Sequence, residues 1–249
     1  MDTQSAQCIS QPRSVHTSVT SDVGTPINGE FLNLLVFEHG VRVGRLATRL
    51  AGALALPAPR CAKIALAASL HDAGKLLIAT SVWSVPGPLT AFQRTLVEDH
   101  PSLGADLLEI ACRDLSIEGE VLRRVALMHH ERWDGKGYPY GIAGRAIPLE
   151  ARLVAIADSY DALTTERPYK AAWSSARALA QLRAESARQF DPQLVEAFCA
   201  LIGAEEASDH EAFAERSWEQ SARTIYQHVL RLSRGETPDH AAISSHITQ

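Results

Sequence analysis

The 249-residue chain lacks most of the features that would settle its class at a glance. Its four cysteines, Cys8, Cys61, Cys112 and Cys199, lie far apart and form no C-x-x-C pair, which argues against a disulfide framework and a cysteine-built zinc site. It has no excess of positive charge. Lys and Arg number 24 against 29 Asp and Glu, a formal net charge of −5, so whole-surface binding of DNA or RNA is not expected. There is no run of about 18 apolar residues, because Arg, Pro, Lys or His interrupts every Ala/Leu-rich stretch. The opening MDTQSAQCISQPRSVHTSVT is too polar for a secretory hydrophobic region. Strand-like alternation and internal repeats are also missing. These absences lead to the expectation of a cytoplasmic protein with no membrane partner.

What is present is helical texture. Residues 1–28, rich in Ser, Thr, Gln and Pro, read as a disordered leader. From Phe31 apolar residues recur at three- and four-residue steps, with Leu35, Val43, Leu46 and Leu50 among them, until the break at Pro57-Ala58-Pro59. Residues 61–72 read as a second, buried helix that stops near Gly74. Residues 80–88 are predicted to be loop or short turns, Thr90 to cap a helix, and His100-Pro101 to end or bend it. Further helices are predicted over 101–115, 118–131, 149–164, 174–187 and 192–203. Between them, residues 133–148 form a glycine-rich loop long enough to be functional. Residues 204–234 are predicted to add one or two helices, amphipathic around Phe213, Trp218, Ile225, Tyr226, Val229 and Leu232, before a frayed tail. The expected architecture is all-α, with the main domain over 29–203 and a helical extension and tail over 204–249.

Within that texture the polar residues are unusually placed. Five histidines, His39, His71, His100, His129 and His130, fall in the helical stretches. His71-Asp72 closes an almost wholly apolar helix, His129-His130 closes another, and Asp158 interrupts the apolar run Leu-Val-Ala-Ile-Ala. A carboxylate in such a run is costly unless it is paired or binds a metal. Imidazoles and carboxylates converging between helices would hold divalent cations of the iron, manganese or zinc type. Adjacent histidines point about 100° apart on a helix, so His129 and His130 reach one ion only near a helix end, or else serve different roles. Spacing by itself leaves the convergence open.

Four segments carry a resemblance: HDAGK at 71–75, HPSLG at 100–104, HHERWDGKGYP at 129–139 and ADSYDALTTERPYK at 157–170. In this order they resemble the signature segments of the HD-GYP domain, a subclass of the HD metal-dependent phosphohydrolases whose known members hydrolyse cyclic di-GMP. The resemblance runs from about residue 30 to 202 and implies an HD-type helical bundle with a long Gly-rich GYP loop. It implies that His39, His71 and Asp158 hold one divalent ion, that His100, His129 and His130 hold a second, and that Asp72 bridges the two. The ions it implies are iron or manganese, with zinc or nickel acquired on purification, and the nucleophile is a hydroxide between them. Lys75 is implied to face the metals and the scissile phosphate. Arg167 and Lys170 become substrate contacts, which would make the pocket of an acidic protein locally positive. Gly137 and Pro139 are loop architecture, while Tyr138 or Trp133 could stack on a guanine. The implied reaction yields pGpG first, with onward cleavage to GMP left open.

The chain also departs from the family pattern. Some members place a Glu one turn before the first histidine to hold a third metal. Here that position is Leu35, and Glu38 lies beside His39 on another face, so two metals are expected. Val85 stands where many relatives have Lys, and Ala187-Arg188 replaces a Gly-Thr before Phe190-Asp191-Pro192, in which Asp191 is expected to cap the next helix. Two alternatives fit the same residues: a low-activity module that binds cyclic di-GMP and signals through a partner, or a phosphohydrolase for another nucleotide. A homodimer or a separate regulatory protein would supply control in either case.

Overall fold

The computed structural model describes residues 29–83, 88–166, 171–205 and 216–236. The expected leader, Val85, Arg167, Lys170, Phe213 and the tail lie outside these residues. Among the described residues the fold is α-helical, with one isolated bridge between Ser186 and Phe190 and no strand. None of the described helices is long and apolar enough to cross a membrane.

The long helix α1 (Gly29–Ala53) packs along α2 (Ala58–Ser69) and α7 (Leu149–Thr164). Two glycines one turn apart make the first approach possible. A Cβ at Gly40 would fall 2.1 Å from the Ser69 carbonyl oxygen, and one at Gly44 would fall 2.8 Å from that of Ala65. The two backbones therefore nearly touch beside His39, which draws the end of α2 toward it. Close packing recurs on α7, where Ala151 and Ala157 are fully buried together with Leu153, Val154 and Ile156.

The expectation that the second helix continues through Asp72 is corrected. The α-helix ends at Ser69, and a 3-10 turn follows over Ala73–Leu77. The reason is local. The Ala68 carbonyl is taken by the His71 ring nitrogen Nδ1 at 2.7 Å, and the backbone tightens to three-residue bonds, Leu70 to Ala67, Ala73 to Leu70 and Lys75 to Asp72. A one-turn helix, α3 (Thr80–Trp83), then leads toward α4 (Ala91–Glu98). Thr90 caps α4 as expected, in a reciprocal box with Gln93. His100-Pro101 does end α4, and it opens α5 (His100–Asp114), with Pro101 in the first turn.

α6 (Glu120–Met128) stops one residue before His129 and packs beside α5. After the long loop and α7 come α8 (Ser175–Ala184) and α9 (Pro192–Glu205). Asp191 accepts from the Gln193 N–H at the start of α9, as expected of a cap, and also pairs with Arg152. In the turn before it, Ala187 has φ of 61°, the left-handed conformation for which the related turn carries glycine. Helix α10 (Arg216–Ser233) lies against α5 and α2. It buries Trp218, Ile225, Tyr226 and Val229 of the amphipathic stripe expected from the sequence, together with Ala222, and leaves Leu232 of that stripe half-buried. Cys112 and Cys199 are buried free thiols, and Cys61 is half-buried.

Candidate metal centre

The five core histidines and two aspartates meet where α1, the 71–72 turn, the start of α5, the end of α6 and the middle of α7 converge. Asp72 stands at the centre and is buried. Its two oxygens face different neighbours. Oδ2 lies 3.4 Å from His71 Nε2 and 3.9 Å from His39 Nε2, while Oδ1 lies 3.2 Å from His100 Nε2 and 3.8 Å from His129 Nε2. Asp158 Oδ1 joins the first group at 3.0 Å from His39 Nε2 and 3.8 Å from His71 Nε2. The His130 ring joins the second, with its centroid 4.1 Å from that of His129 and 4.9 Å from that of His100. Two groups capable of holding an ion result, His39/His71/Asp72 and Asp72/His100/His129/His130.

The tautomers are set by what the other ring nitrogen meets. Nδ1 of His71, His100 and His129 lies 2.7, 2.6 and 2.8 Å from the carbonyl oxygens of Ala68, Val97 and Ala126. A carbonyl only accepts, so each Nδ1 carries the proton and each Nε2 offers a lone pair. His100 Nε2 and His129 Nε2 then face one another at 3.2 Å with no proton between them in the neutral rings. Burial, reinforced by His130, His71 and His100, holds His129 well below the ordinary imidazole range, and burial pushes His130 down to about 3. His71 Nε2 and Asp72 Oδ1 are also buried without a hydrogen-bond partner, His100 lying near Oδ1 but off hydrogen-bond geometry.

The unpartnered His71 Nε2 and Asp72 Oδ1, with the facing lone pairs of His100 and His129, fit divalent cations. Ligand atoms around one ion at 2.0–2.2 Å stand roughly 3.0–3.4 Å apart, close to the separations here. Two His/Asp groups sharing one carboxylate fit a pair of ions, of the kind that imidazole and carboxylate select. The electrostatics agree. Burial opposes ionisation of Asp72 and Asp158, yet Lys75 and the imidazoles hold Asp72 well below the usual carboxylate range, and His39 and His71 do the same for Asp158. Burial lowers His39, but hydrogen bonds to Asp158 and Asp161 outweigh it and hold His39 at about 9.

Lys75 Nζ lies 2.5 Å from Asp72 Oδ2, because three-residue spacing in a 3-10 turn stacks the two side chains. Tyr138 stacks on His130, with centroids 4.8 Å apart and the rings inclined by 24°. Gly137 sits where a Cβ would come within 2.4 Å of the Arg132 nitrogen, and the Tyr138–Pro139 peptide is cis. Trp133 lies at the base of the loop, its N–H donating to the Gln189 carbonyl and its ring 5.9 Å from the Arg152 guanidinium. Leu35 and Glu38 are exposed on α1 and belong to neither group.

Three side chains at the site were not singled out from the sequence. Buried Glu131 accepts from the N–H groups of Tyr140 and Ile142 and so holds the glycine-rich loop to the end of α6. Asp161, one turn beyond Asp158, accepts from His39 Nδ1, and Arg42 donates to Asp161. Asp161 falls inside the segment 157–170 that carries the family resemblance, one turn from the candidate ligand Asp158, and that was the signal available for it.

A family profile described as HD domain matches residues 32–194. The chain belongs to the HD domain family. The cyclic di-GMP phosphodiesterase response regulator RpfG of Xanthomonas campestris is 46% identical over 156 residues, 63% of this chain and 40% of its own length. The cyclic di-GMP phosphodiesterase PA4108 of Pseudomonas aeruginosa is 42% identical over 167 residues, 67% and 39% of the two lengths. A 3′3′-cGAMP-specific phosphodiesterase 2 of Vibrio cholerae is 37% identical over 158 residues, 64% of this chain and 30% of the relative. Within the HD domain family, this chain is thus closely related to HD-GYP-type proteins, and it spans about two fifths of the length of the first two relatives. A crystal structure of a cyclic GMP-AMP specific phosphodiesterase from V. cholerae shares the fold at a TM-score of 0.55 and 20% identity, covering 84% of this chain and 56% of that one.

Proposed function

We propose that this HD-domain chain hydrolyses a phosphodiester bond of cyclic di-GMP, releasing linear pGpG first, with GMP following if a second cut occurs. The observation that carries the reading is the division of Asp72. One oxygen faces each histidine group, and donor-free nitrogens point inward from both sides. Two divalent cations held by His39, His71, Asp72 and Asp158 and by Asp72, His100, His129 and His130 would supply Lewis-acid charge and a water of lowered pKa. Iron or manganese suits this donor set.

The remaining residues bind and orient. Lys75, about a quarter exposed beside Asp72, is placed to bring an ammonium to the non-bridging oxygens of a phosphodiester and offset their developing charge. Tyr138, stacked on His130, walls that side of the centre and offers a ring edge to a base. Arg167 and Lys170 would neutralise the dinucleotide's phosphates. Names of relatives support the substrate class: several are cyclic di-GMP phosphodiesterases. Three others are 3′3′-cGAMP-specific, which favours that dinucleotide as the second reading.

The test is product formation from cyclic di-GMP and 3′3′-cGAMP by protein prepared anaerobically with Mn²⁺ or Fe²⁺, alongside metal analysis. Turnover that disappears in both His71→Ala and Asp72→Ala is expected. Wild-type protein that carries two metals and binds the dinucleotide tightly without cleaving it would make the chain a binding module instead.

A further inference from the structure

One buried carboxylate beside the metal centre has no part in the reaction above. Asp161 accepts four bonds. Oδ2 takes His39 Nδ1 at 2.7 Å and Arg42 Nη2 at 3.0 Å, and Oδ1 takes Arg42 Nε at 2.7 Å and Thr165 Oγ1 at 3.2 Å. Both oxygens are occupied, so Asp161 is not available as a ligand.

The position of His39 explains why a side chain is needed there. His71, His100 and His129 lie at helix ends, where the carbonyl three residues earlier is free of the four-residue helical bond and accepts from Nδ1. His39 lies inside α1, where the carbonyls are spent on the helix itself. Its ring must find an acceptor on another element, and Asp161 on α7 is that acceptor. The two helices interlock through matched three-residue pairs: His39 and Arg42 on α1, Asp158 and Asp161 on α7. His39 Nε2 reaches Asp158 while its Nδ1 reaches Asp161, and the Arg42 fork stops Asp161 from swinging toward the ion site.

We propose that Asp161, held by Arg42, is the positioning residue that gives the His39/His71/Asp158 side of the centre its metal affinity, by fixing the His39 tautomer and ring angle. This rests on reading those residues as ligands of one ion. A carboxylate acceptor also enriches the ring as a donor, which a backbone carbonyl does less strongly.

The experiment is a calorimetric Mn²⁺ titration of the full chain, stripped with chelator and kept under reducing conditions, for wild type, Asp161→Asn, Asp161→Ala and Arg42→Lys. The expected result is two ions in the wild type, and in both Asp161 variants an affinity for one ion about 10- to 100-fold weaker with the other unchanged. Arg42→Lys keeps the charge but not the two-pronged contact and is expected to fall between them. Turnover lost in Asp161→Asn should return with excess Mn²⁺, which a general folding defect would not allow. Wild-type affinity at both sites in the variants overturns the assignment, as does equal weakening of both ions. If the Asp161 variants fail to fold by far-UV circular dichroism, Arg42→Lys decides on the same terms. A wild-type chain that binds two Mn²⁺ ions yet leaves cyclic dinucleotides intact would defeat the phosphodiesterase reading and leave this one standing; a chain that binds none would defeat both.

Discussion

Adding one methyl group at Gly137 should dismantle the loop that walls the metal centre. A Cβ there would come within 2.4 Å of the Arg132 nitrogen, 2.5 Å of the His130 oxygen and 2.6 Å of the Glu131 Cα. All three are backbone atoms, so no flexible side chain can yield, and the loop must move by about 1 Å to restore ordinary contact. The bonds in the path of that movement are those from Tyr140 and Ile142 to Glu131, at 2.7 and 3.1 Å, and that from Tyr138 to His130 at 3.3 Å. Hydrogen bonds to a charged group contribute about 1.5–3 kcal/mol each, and Glu131 is buried, so loss of both leaves an unpaired carboxylate. Gly137→Ala should therefore cost about 3 kcal/mol or more, a fall in Tm of roughly 6–12 °C for a chain of this size. Urea unfolding with matched m-values is the assay. Gly144→Ala is the control, since its φ is 58° with nothing within 4 Å, and its cost should be only about 1–2 kcal/mol. If Gly137→Ala unfolds within 1 kcal/mol of wild type, about the cost of the control, close backbone approach is not what the loop demands there.

Metal-free protein should be most stable near pH 6.5. Acidification below that value protonates His130 in the unfolded chain but not in the fold, where it titrates at about 3, and stability falls. His39, held at about 9, contributes stability that is complete below 6.5 and lost as the pH rises through 9. Each arm should amount to a few kcal/mol at about 1.36 kcal/mol per pH unit, and a flat urea midpoint between pH 4.5 and 9 would contradict it. Trp218→Ala should cost about 3–5 kcal/mol in the same assay, because the indole is 5% exposed and sits against Gly44; a loss below 1 kcal/mol would mean that α10 is not part of the cooperative core. Ala187→Gly should stabilise by about 0.5–1 kcal/mol by relieving a left-handed alanine, and a destabilised variant would show that the turn carries no such strain.

How far the site could be seen in the sequence follows from the kind of signal each residue leaves. His71, Asp72, His129, His130 and Asp158 stand out because ionisable groups inside or at the ends of apolar helices are expensive and so call for a reason. Thr90, Asp191 and the α10 stripe are legible because caps and amphipathic spacing are local patterns. Arg42, Glu131 and Asp161 leave no such trace. Arg42 and Asp161 are 119 residues apart in sequence, and each taken alone is an ordinary polar side chain on a helix.

The sequence by itself determined the helical class, the presence of imidazoles and carboxylates in apolar helices, and the glycine-rich loop, since helical period and the cost of buried charge act along the chain; their division into two groups was implied only by the resemblance. Only the tertiary structure decided that α2 stops at Ser69, so that His71 and Asp72 turn inward instead of continuing a helix. Only it decided which oxygen of Asp72 meets which histidines, and which ring nitrogen each histidine presents. The division of Asp72 depends on glycine contacts and helix crossings between distant segments, and the end of α2 and the ring nitrogens on a carbonyl three residues back that is freed where packing ends a helix; neither kind of contact has a period to read.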